Sequence, residues 1–218
     1  MTGKRIRVMV VDDHAVVREG YRRLLEKQPD VEVIAEAGDA ASAYHQFRAT
    51  APDVVIMDIS MPGRGGIDAI RQIRQTDSTA RILVFSMHAT VSYAVQAIRA
   101  GARGYITKSS ASDLMVEAVR SVSQNKLTLC AEISEALATS RLEENADALD
   151  QLSPREFEVL RMIIDAKSTE EIATAFHLTP KTVANYHYAI KSKLGVSSDI
   201  DLVYFCMRNG MVTPLANC

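Results

Sequence analysis

In the first half of the chain, short apolar runs alternate with stretches whose apolar residues recur every three or four positions. The runs predict strands at Arg5–Val11, Val31–Ala35, Val54–Asp58, Ile82–Ser86 and Gly104–Thr107. The stretches between them predict helices at Ala15–Lys27, Ala40–Ala49, Gly66–Gln75, Val91–Ala100 and Ala111–Gln124. The clearest stripe is Leu114, Met115, Ala118, Val119 and Val122. Val54–Met57 is apolar throughout, as expected of a strand covered on both faces. Five βα units in succession predict an α/β domain. Its five-stranded parallel sheet has the expected order 2-1-3-4-5, with helices on both faces.

Beyond residue 126 the pattern changes. Leu127–Ala138 predicts one more short helix. Thr139–Gln151 is polar and acidic and reads as a linker. From Leu152 onward the signals are helical, with marked starts. Ser153-Pro154-Arg155-Glu156 combines a capping Ser, a first-turn Pro and a Glu that closes a capping box. Ser168-Thr169-Glu170-Glu171 repeats the box, Thr179-Pro180 is a third start, and Gly195 is a stop after Leu194. A last helix begins at Ser197 or Ser198. The chain is thus expected to divide into residues 1–126, a helix and linker at 127–150, and an all-α four-helix domain at 151–218.

Bulk properties narrow the class. With 218 residues, 47% of them hydrophobic, there is enough apolar material for two small cores. The net charge of -2 supplies no global field for nucleic acid or anionic membrane, so any such binding needs a local patch. Ile6–Val11 is too short for a signal peptide or a span. Cys130, Cys206 and Cys218 are widely spaced and odd in number, with no C-x-x-C pair. They fit free thiols in a reducing compartment. The expectation is a cytoplasmic protein with no membrane partner.

The candidate chemistry sits at strand ends, the functional edge of a parallel sheet. Asp12 and Asp13 follow strand one, Asp58 ends strand three, Ser86 ends strand four and Lys108 follows strand five. In the order 2-1-3-4-5 the carboxylates converge. Three acids together need a counter-ion, and a hard, oxygen-seeking cation such as Mg²⁺ is the natural one. Lys108 and Ser86 supply a charge and a donor for phosphoryl oxygens. The set suits phosphoryl transfer onto Asp58 as nucleophile. Each of these residues alone is an ordinary turn, cap or surface residue; their joint spacing carries the reading.

In the second half, Thr169–Phe176 and Pro180–Leu194, joined by three residues, fit a helix-turn-helix. Val183, Ile190 and Leu194 are expected inward. Ala184, Asn185 and Tyr188 are then expected outward, as base-reading residues: Asn suits adenine and Ala a thymine methyl. Lys181, Thr182, Lys191 and Lys193 suit phosphates of double-stranded DNA. Acids and bases nearly balance in this half, which leaves a protein-binding helical bundle as the competing reading.

Val10-Val11-Asp12-Asp13-His14, Asp58-Ile59-Ser60-Met61-Pro62 with Gly66, then Ser86 and Gly104-Tyr105-Ile106-Thr107-Lys108, resemble the receiver domain of two-component response regulators. Leu152-Ser153-Pro154-Arg155-Glu156, Glu171-Ile172-Ala173 and Lys181-Thr182-Val183 with Lys193-Leu194 resemble the LuxR-type DNA-binding domain. Together the chain resembles the NarL/FixJ family over nearly its full length. The resemblance implies that Asp58 accepts a phosphoryl group from a sensor histidine kinase. It implies Mg²⁺ held by Asp12, Asp13, Asp58 and the Ser60 backbone carbonyl, and a switch pair of Ser86 and Tyr105. It also implies a homodimer on activation through the last helix, where Leu202, Val203 and Cys206 share a face that equally suits core packing.

Several positions depart from the pattern. Ser109 stands where many receivers have Pro after the lysine. Met87 and His88 follow Ser86 in place of a very small residue; they read either as ordinary loop residues or as groups that shield the site and influence hydrolysis. Thr169-Glu170, Ala184 and Tyr186 replace residues common in LuxR-type domains, which implies a distinct base preference and weak binding by the unphosphorylated monomer. A phosphatase of the haloacid dehalogenase type is disfavoured, because the acid it needs two residues after the nucleophile is Ser60 here. No enzymatic turnover is expected beyond self-phosphorylation and slow self-dephosphorylation. A regulator not controlled by phosphorylation is the remaining alternative.

Overall fold

The computed structural model describes residues 4–110, 112–142 and 148–212. Its sheet is built from β1 (Ile6–Val11), β2 (Val31–Ala37), β3 (Val54–Met57), β4 (Ile82–Ser86), β5 (Gly104–Thr107) and β6 (Thr128–Leu129). All pairings are parallel, in the order β2-β1-β3-β4-β5-β6. The expected order is therefore present, with a sixth strand added at the β5 edge. Sequence periodicity misses β6 because it spans only two residues. It is held by the Thr128 amide donating to the Arg103 carbonyl at 3.0 Å and the Cys130 amide to the Tyr105 carbonyl at 3.1 Å, beside Gly104, where a Cβ would meet the Thr128 carbonyl oxygen at 3.1 Å.

The sheet is flanked by α1 (Ala15–Glu26), α2 (Ala40–Thr50), α3 (Gly65–Thr76), α4 (Val91–Ala100) and α5 (Ser112–Ser123). Every residue of β3, β4 and β5 is buried, so these strands need no polar alternation. The segment expected as a single helix at 127–138 instead forms β6 and then α6 (Ala131–Leu142). Part of the expected linker is ordered as a 3₁₀ turn, Ala148–Gln151, with Leu149 buried; residues 143–147 lie outside the described residues.

The second unit comprises α7 (Pro154–Ile164), α8 (Thr169–Phe176), α9 (Pro180–Leu194) and α10 (Asp199–Arg208). Its starts are those expected from the caps. Ser153 and Glu156, and Ser168 and Glu171, form reciprocal capping boxes, and Thr179 accepts from the Thr182 amide. Ser198 and Asp201 form another such box. Gly195 ends α9 at φ +66°. Among the described residues no helix is long and apolar enough to cross a membrane.

The helical unit does not stand apart from the sheet unit. Its α7 packs on α3 and α4. Gln96, fully buried on α4, donates to the carbonyls of Leu149 and Leu152, each at 3.0 Å. Tyr93 of α4 meets Phe157 of α7 edge-on, with centroids 4.9 Å apart. Arg155 pairs with Asp68 at 2.9 Å, and Asp68 is also held by Arg71 at 2.8 Å. Arg64 donates to the Ala175 carbonyl at 2.5 Å.

Candidate functional site

The β1–β3 pairing sets Val11 beside Met57, so the residues that follow these strands leave the sheet side by side. The Asp58 amide donates to the Val11 carbonyl at 2.8 Å, which continues the ladder one step past the strand. Asp12 and Asp58 are 1% and 2% exposed. Two buried carboxylates this close need a neutralising partner. Lys108 supplies it: its Nζ lies 2.6 Å from Asp12 Oδ2 and 2.7 Å from Asp58 Oδ2. Burial works against the Lys108 charge, yet its hydrogen bonds to the two aspartates outweigh that and hold the ammonium above the ordinary lysine value. The remaining oxygens are occupied from the backbone. The His14 amide donates to Asp12 Oδ1 at 2.8 Å, and the Ser60 amide to Asp58 Oδ1 at 3.0 Å.

Asp13 lies beside them. Its Oδ1 is buried without a hydrogen bond, with the His14 ring nitrogen 2.9 Å away. Asp12, Asp13 and His14 can bring one ligand atom each within 4.8 Å of one another. An unsatisfied buried carboxylate oxygen next to a second carboxylate, with Asp58 tied to the same Lys108, is a hard-oxygen donor set that fits Mg²⁺.

The flank at β4 and β5 is ordered by hydrogen bonds. Ser86 is fully buried, and its Oγ accepts from the His88 amide at 3.1 Å. Tyr105 is also fully buried and points inward, its hydroxyl donating to the His88 carbonyl at 2.8 Å; burial raises its phenol well above the ordinary value. The His88 ring stacks on Tyr93 at 3.9 Å with the planes 2° apart. Burial lowers the His88 pKa below its usual 6.5. Met87 is 72% exposed. His88 is therefore more than a loop residue: it links the Ser86 hydroxyl, through Tyr93, to the aromatic contact with Phe157. Among the described residues there is no cis peptide bond, and Ser109 instead shares a hydroxyl contact with Thr107 at 2.9 Å.

On α9, Val183, Ile190 and Leu194 are buried, while Lys181, Ala184, Asn185 and Tyr188 are exposed. Thr182 is half-buried, with its hydroxyl 2.9 Å from that of Thr179. Lys191 and Lys193 are engaged in ion pairs, with Asp199 at 2.9 Å and Glu156 at 2.6 Å. The face of α9 that carries Ala184, Asn185 and Tyr188 is open although the two units are docked. On α10, Leu202 and Cys206 are fully buried in the core of the same chain, so they are not available as a surface. Burial raises the Cys206 thiol to about 11. The exposed apolar face is one step around the helix, at Ile200, Val203, Tyr204 and Met207, which line an open groove.

The docked surface holds residues that periodicity did not single out. Glu158 is 1% exposed, and its Oε2 accepts from Arg161 Nε at 2.8 Å. Burial raises the Glu158 pKa, opposed by Arg161. The available signal was α7 itself. Apolar residues at 157, 159, 160, 162 and 163 extend more than halfway around that helix, which one packing surface does not require.

Residues 8–120 match the response regulator receiver domain family, and residues 150–206 match the family of bacterial regulatory proteins of the luxR type. The response regulator UvrY of Escherichia coli strain K12 is 35% identical over 208 residues, covering 94% of this chain and 95% of that protein. RcsB from Salmonella enterica serovar Typhimurium, solved bound to promoter rprA in the presence of the phosphomimetic BeF3-, is 26% identical. It superposes with a TM-score of 0.75 over 93% of this chain and 98% of its own. A structure of two RcsB dimers bound to two parallel DNAs matches at 26% identity and a TM-score of 0.60, covering 96% of this chain and 100% of that one.

Proposed function

Because the chain belongs to the two-component response regulators that join a receiver to a LuxR-type DNA-binding domain, we propose that phosphorylation of Asp58 controls its binding to double-stranded DNA. The observation that carries this reading is Lys108 bridging Asp12 and Asp58 in a buried pocket. In the reaction, an Asp58 carboxylate oxygen attacks phosphorus. The bond from phosphorus to the kinase histidine breaks, and the imidazole departs as a neutral base after taking a proton. Lys108 exchanges Asp58 Oδ2 for a phosphoryl oxygen, and the Ser86 hydroxyl donates to another. Asp12, Asp13, Asp58 and the Ser60 carbonyl would hold Mg²⁺, which supplies neutralising charge for the phosphoryl group when bound. The protein serves as acceptor and switch, with no turnover of a small substrate.

Transmission follows the contacts. A Ser86 hydroxyl that turns to the phosphoryl group gives up the His88 amide. His88 is also tied to Tyr105 and stacked on Tyr93, which touches Phe157 in the DNA-binding domain. Docking leaves Lys181, Ala184, Asn185 and Tyr188 open, so control acts through the pairing of two chains more than through covering the recognition helix. The face at Ile200, Val203, Tyr204 and Met207 suits that pairing. RcsB, bound to DNA as dimers, supports the same arrangement here.

The test uses wild type and Asp58→Asn, each treated with an acyl phosphate and Mg²⁺. The probe is a duplex selected by the wild-type protein from a random pool. Wild type is expected to gain one phosphoryl group by mass and to bind the duplex more tightly, with Asp58→Asn doing neither. Equal DNA affinity before and after wild-type phosphorylation would instead support a regulator that phosphorylation does not control.

A further inference from the structure

The loop that carries Asp58 is gripped from the other domain. Arg161 Nη2 donates to the Gly63 carbonyl at 2.9 Å, and Glu158 Oε1 accepts from the Ile67 amide at 3.2 Å. Between these points lies Gly65, at φ +69°. A Cβ there would lie 2.5 Å from both Glu158 oxygens, so the carboxylate rests directly on the backbone at the start of α3. Arg161 Nε joins the two contacts by donating to Glu158 Oε2 at 2.8 Å. The gripped segment in turn bears on the site. The Gly66 amide donates to the Ile59 carbonyl at 3.3 Å, and a Cβ on Gly66 would collide with the Asp58 carbonyl oxygen. Asp58 and Ser60 thus sit on a loop whose far side is fixed by α7.

A buried ion pair is a weak source of net stability, because desolvation offsets the attraction. Placed here, it gains a geometric role. Arg161 spends a hydrogen bond on the Asp58 loop at Gly63 and Glu158 spends one on the first turn of α3 at Ile67, so together they hold the end of the loop that presents the nucleophile and the Ser60 carbonyl.

We infer that Glu158 and Arg161 of the DNA-binding domain are positioning residues for phosphoryl transfer to Asp58, clamping residues 63–67, where the Asp58 loop enters α3, across the domain boundary. This rests on the proposed phosphorylation of Asp58. Neither residue touches the reacting atoms. They act by restricting the loop, so their removal lowers the rate of the chemical step without changing the groups that receive the donor, Lys108 and Ser86.

The test is a full-length Glu158→Gln/Arg161→Met double variant, which leaves no unpaired buried charge behind. Phosphorylation at Asp58 is followed by mass across a range of acetyl phosphate concentrations at fixed Mg²⁺. Circular dichroism and thermal melting establish that the variant is folded. The maximal rate is expected to fall roughly tenfold, on the scale that small misplacements cost, while the half-saturating concentration stays at the wild-type value. The comparison variant is Arg155→Met, which removes a neighbouring interdomain pair while Arg71 still neutralises Asp68. It is expected to keep the wild-type rate within about twofold, since it does not touch residues 63–67. An unchanged or faster maximal rate in the double variant overturns the inference, with phosphorylation of wild type itself intact. Equal slowing by Arg155→Met overturns the assignment to this pair. A wild type that takes no phosphoryl group at Asp58 removes the proposed function and this inference with it.

Discussion

Replacing Lys108 by Met isolates the electrostatics of the acidic pocket. In the native pocket one ammonium lies within 2.7 Å of both Asp12 and Asp58, which are 1% and 2% exposed. Met has similar volume and no charge, so packing is largely kept and the two carboxylates are left facing each other. Each then loses the partner that offset its desolvation and faces a like charge instead. Removing one partner of a buried ion pair costs about 3–5 kcal/mol, because the charge left behind is uncompensated. Lys108→Met is therefore expected to destabilise the receiver by about 3–4 kcal/mol in EDTA. Urea unfolding followed by circular dichroism measures it. Mg²⁺ is expected to stabilise the variant more than wild type, since there it is the only neutralising charge. A deficit below about 1 kcal/mol, or one that Mg²⁺ does not reduce, would refute the account of Lys108 as the counter-charge.

Three further outcomes follow from the geometry. His88 has its pKa lowered by burial, with Asp58, Arg161 and Asp165 as the nearby charges. The unfolded chain therefore takes the proton first, and native stability is lost as pH falls below about 6.5. His88→Phe keeps the stack on Tyr93 and removes this loss, so parallel melting curves for variant and wild type between pH 7 and 5.5 would contradict it. Asn185→Ala is expected to relax base choice at one position of a selected site, worth about 1–3 kcal/mol. Lys181→Ala is expected instead to weaken all sequences alike and to reduce the salt slope by about 1; the reverse pattern in binding titrations would reassign the two residues. Tyr204→Asp, on the exposed face of α10, is expected to abolish pairing of phosphorylated chains in sedimentation while leaving the melting temperature near wild type, and Leu202→Asp is expected to unfold the domain.

The sequence by itself determined everything that rests on local order. The βα alternation, the capped starts of α7, α8 and α9 and the stop at Gly195 follow from periodicity and cap chemistry, which act within a few residues, and right-handed crossovers then limit the strand orders open to the sheet. Asp12, Asp58 and Lys108 were legible for a related reason: a parallel sheet collects its strand ends at one edge, and these charged residues stand at those ends. Tertiary structure decided what depends on which faces meet. The two-residue β6 is held by backbone hydrogen bonds from Thr128 and Cys130 to the carbonyls of Arg103 and Tyr105, partners more than twenty positions away. Leu202 and Cys206 share a face with Val203 in the sequence, yet a helix turned toward its own core buries the first two and exposes Ile200, Val203, Tyr204 and Met207. Lys191 and Lys193 read as free cations until Asp199 and Glu156 come within 2.9 Å of them. The docking of α7 on the Asp58 loop lies furthest from the sequence. Glu158 and Ile67 are separated by 91 positions, and no local pattern specifies that a carboxylate on one helix will meet a glycine-rich turn in another domain. That contact is chosen by the burial of Phe157 against Tyr93 and by Arg161 neutralising Glu158, terms that exist only once both domains are folded.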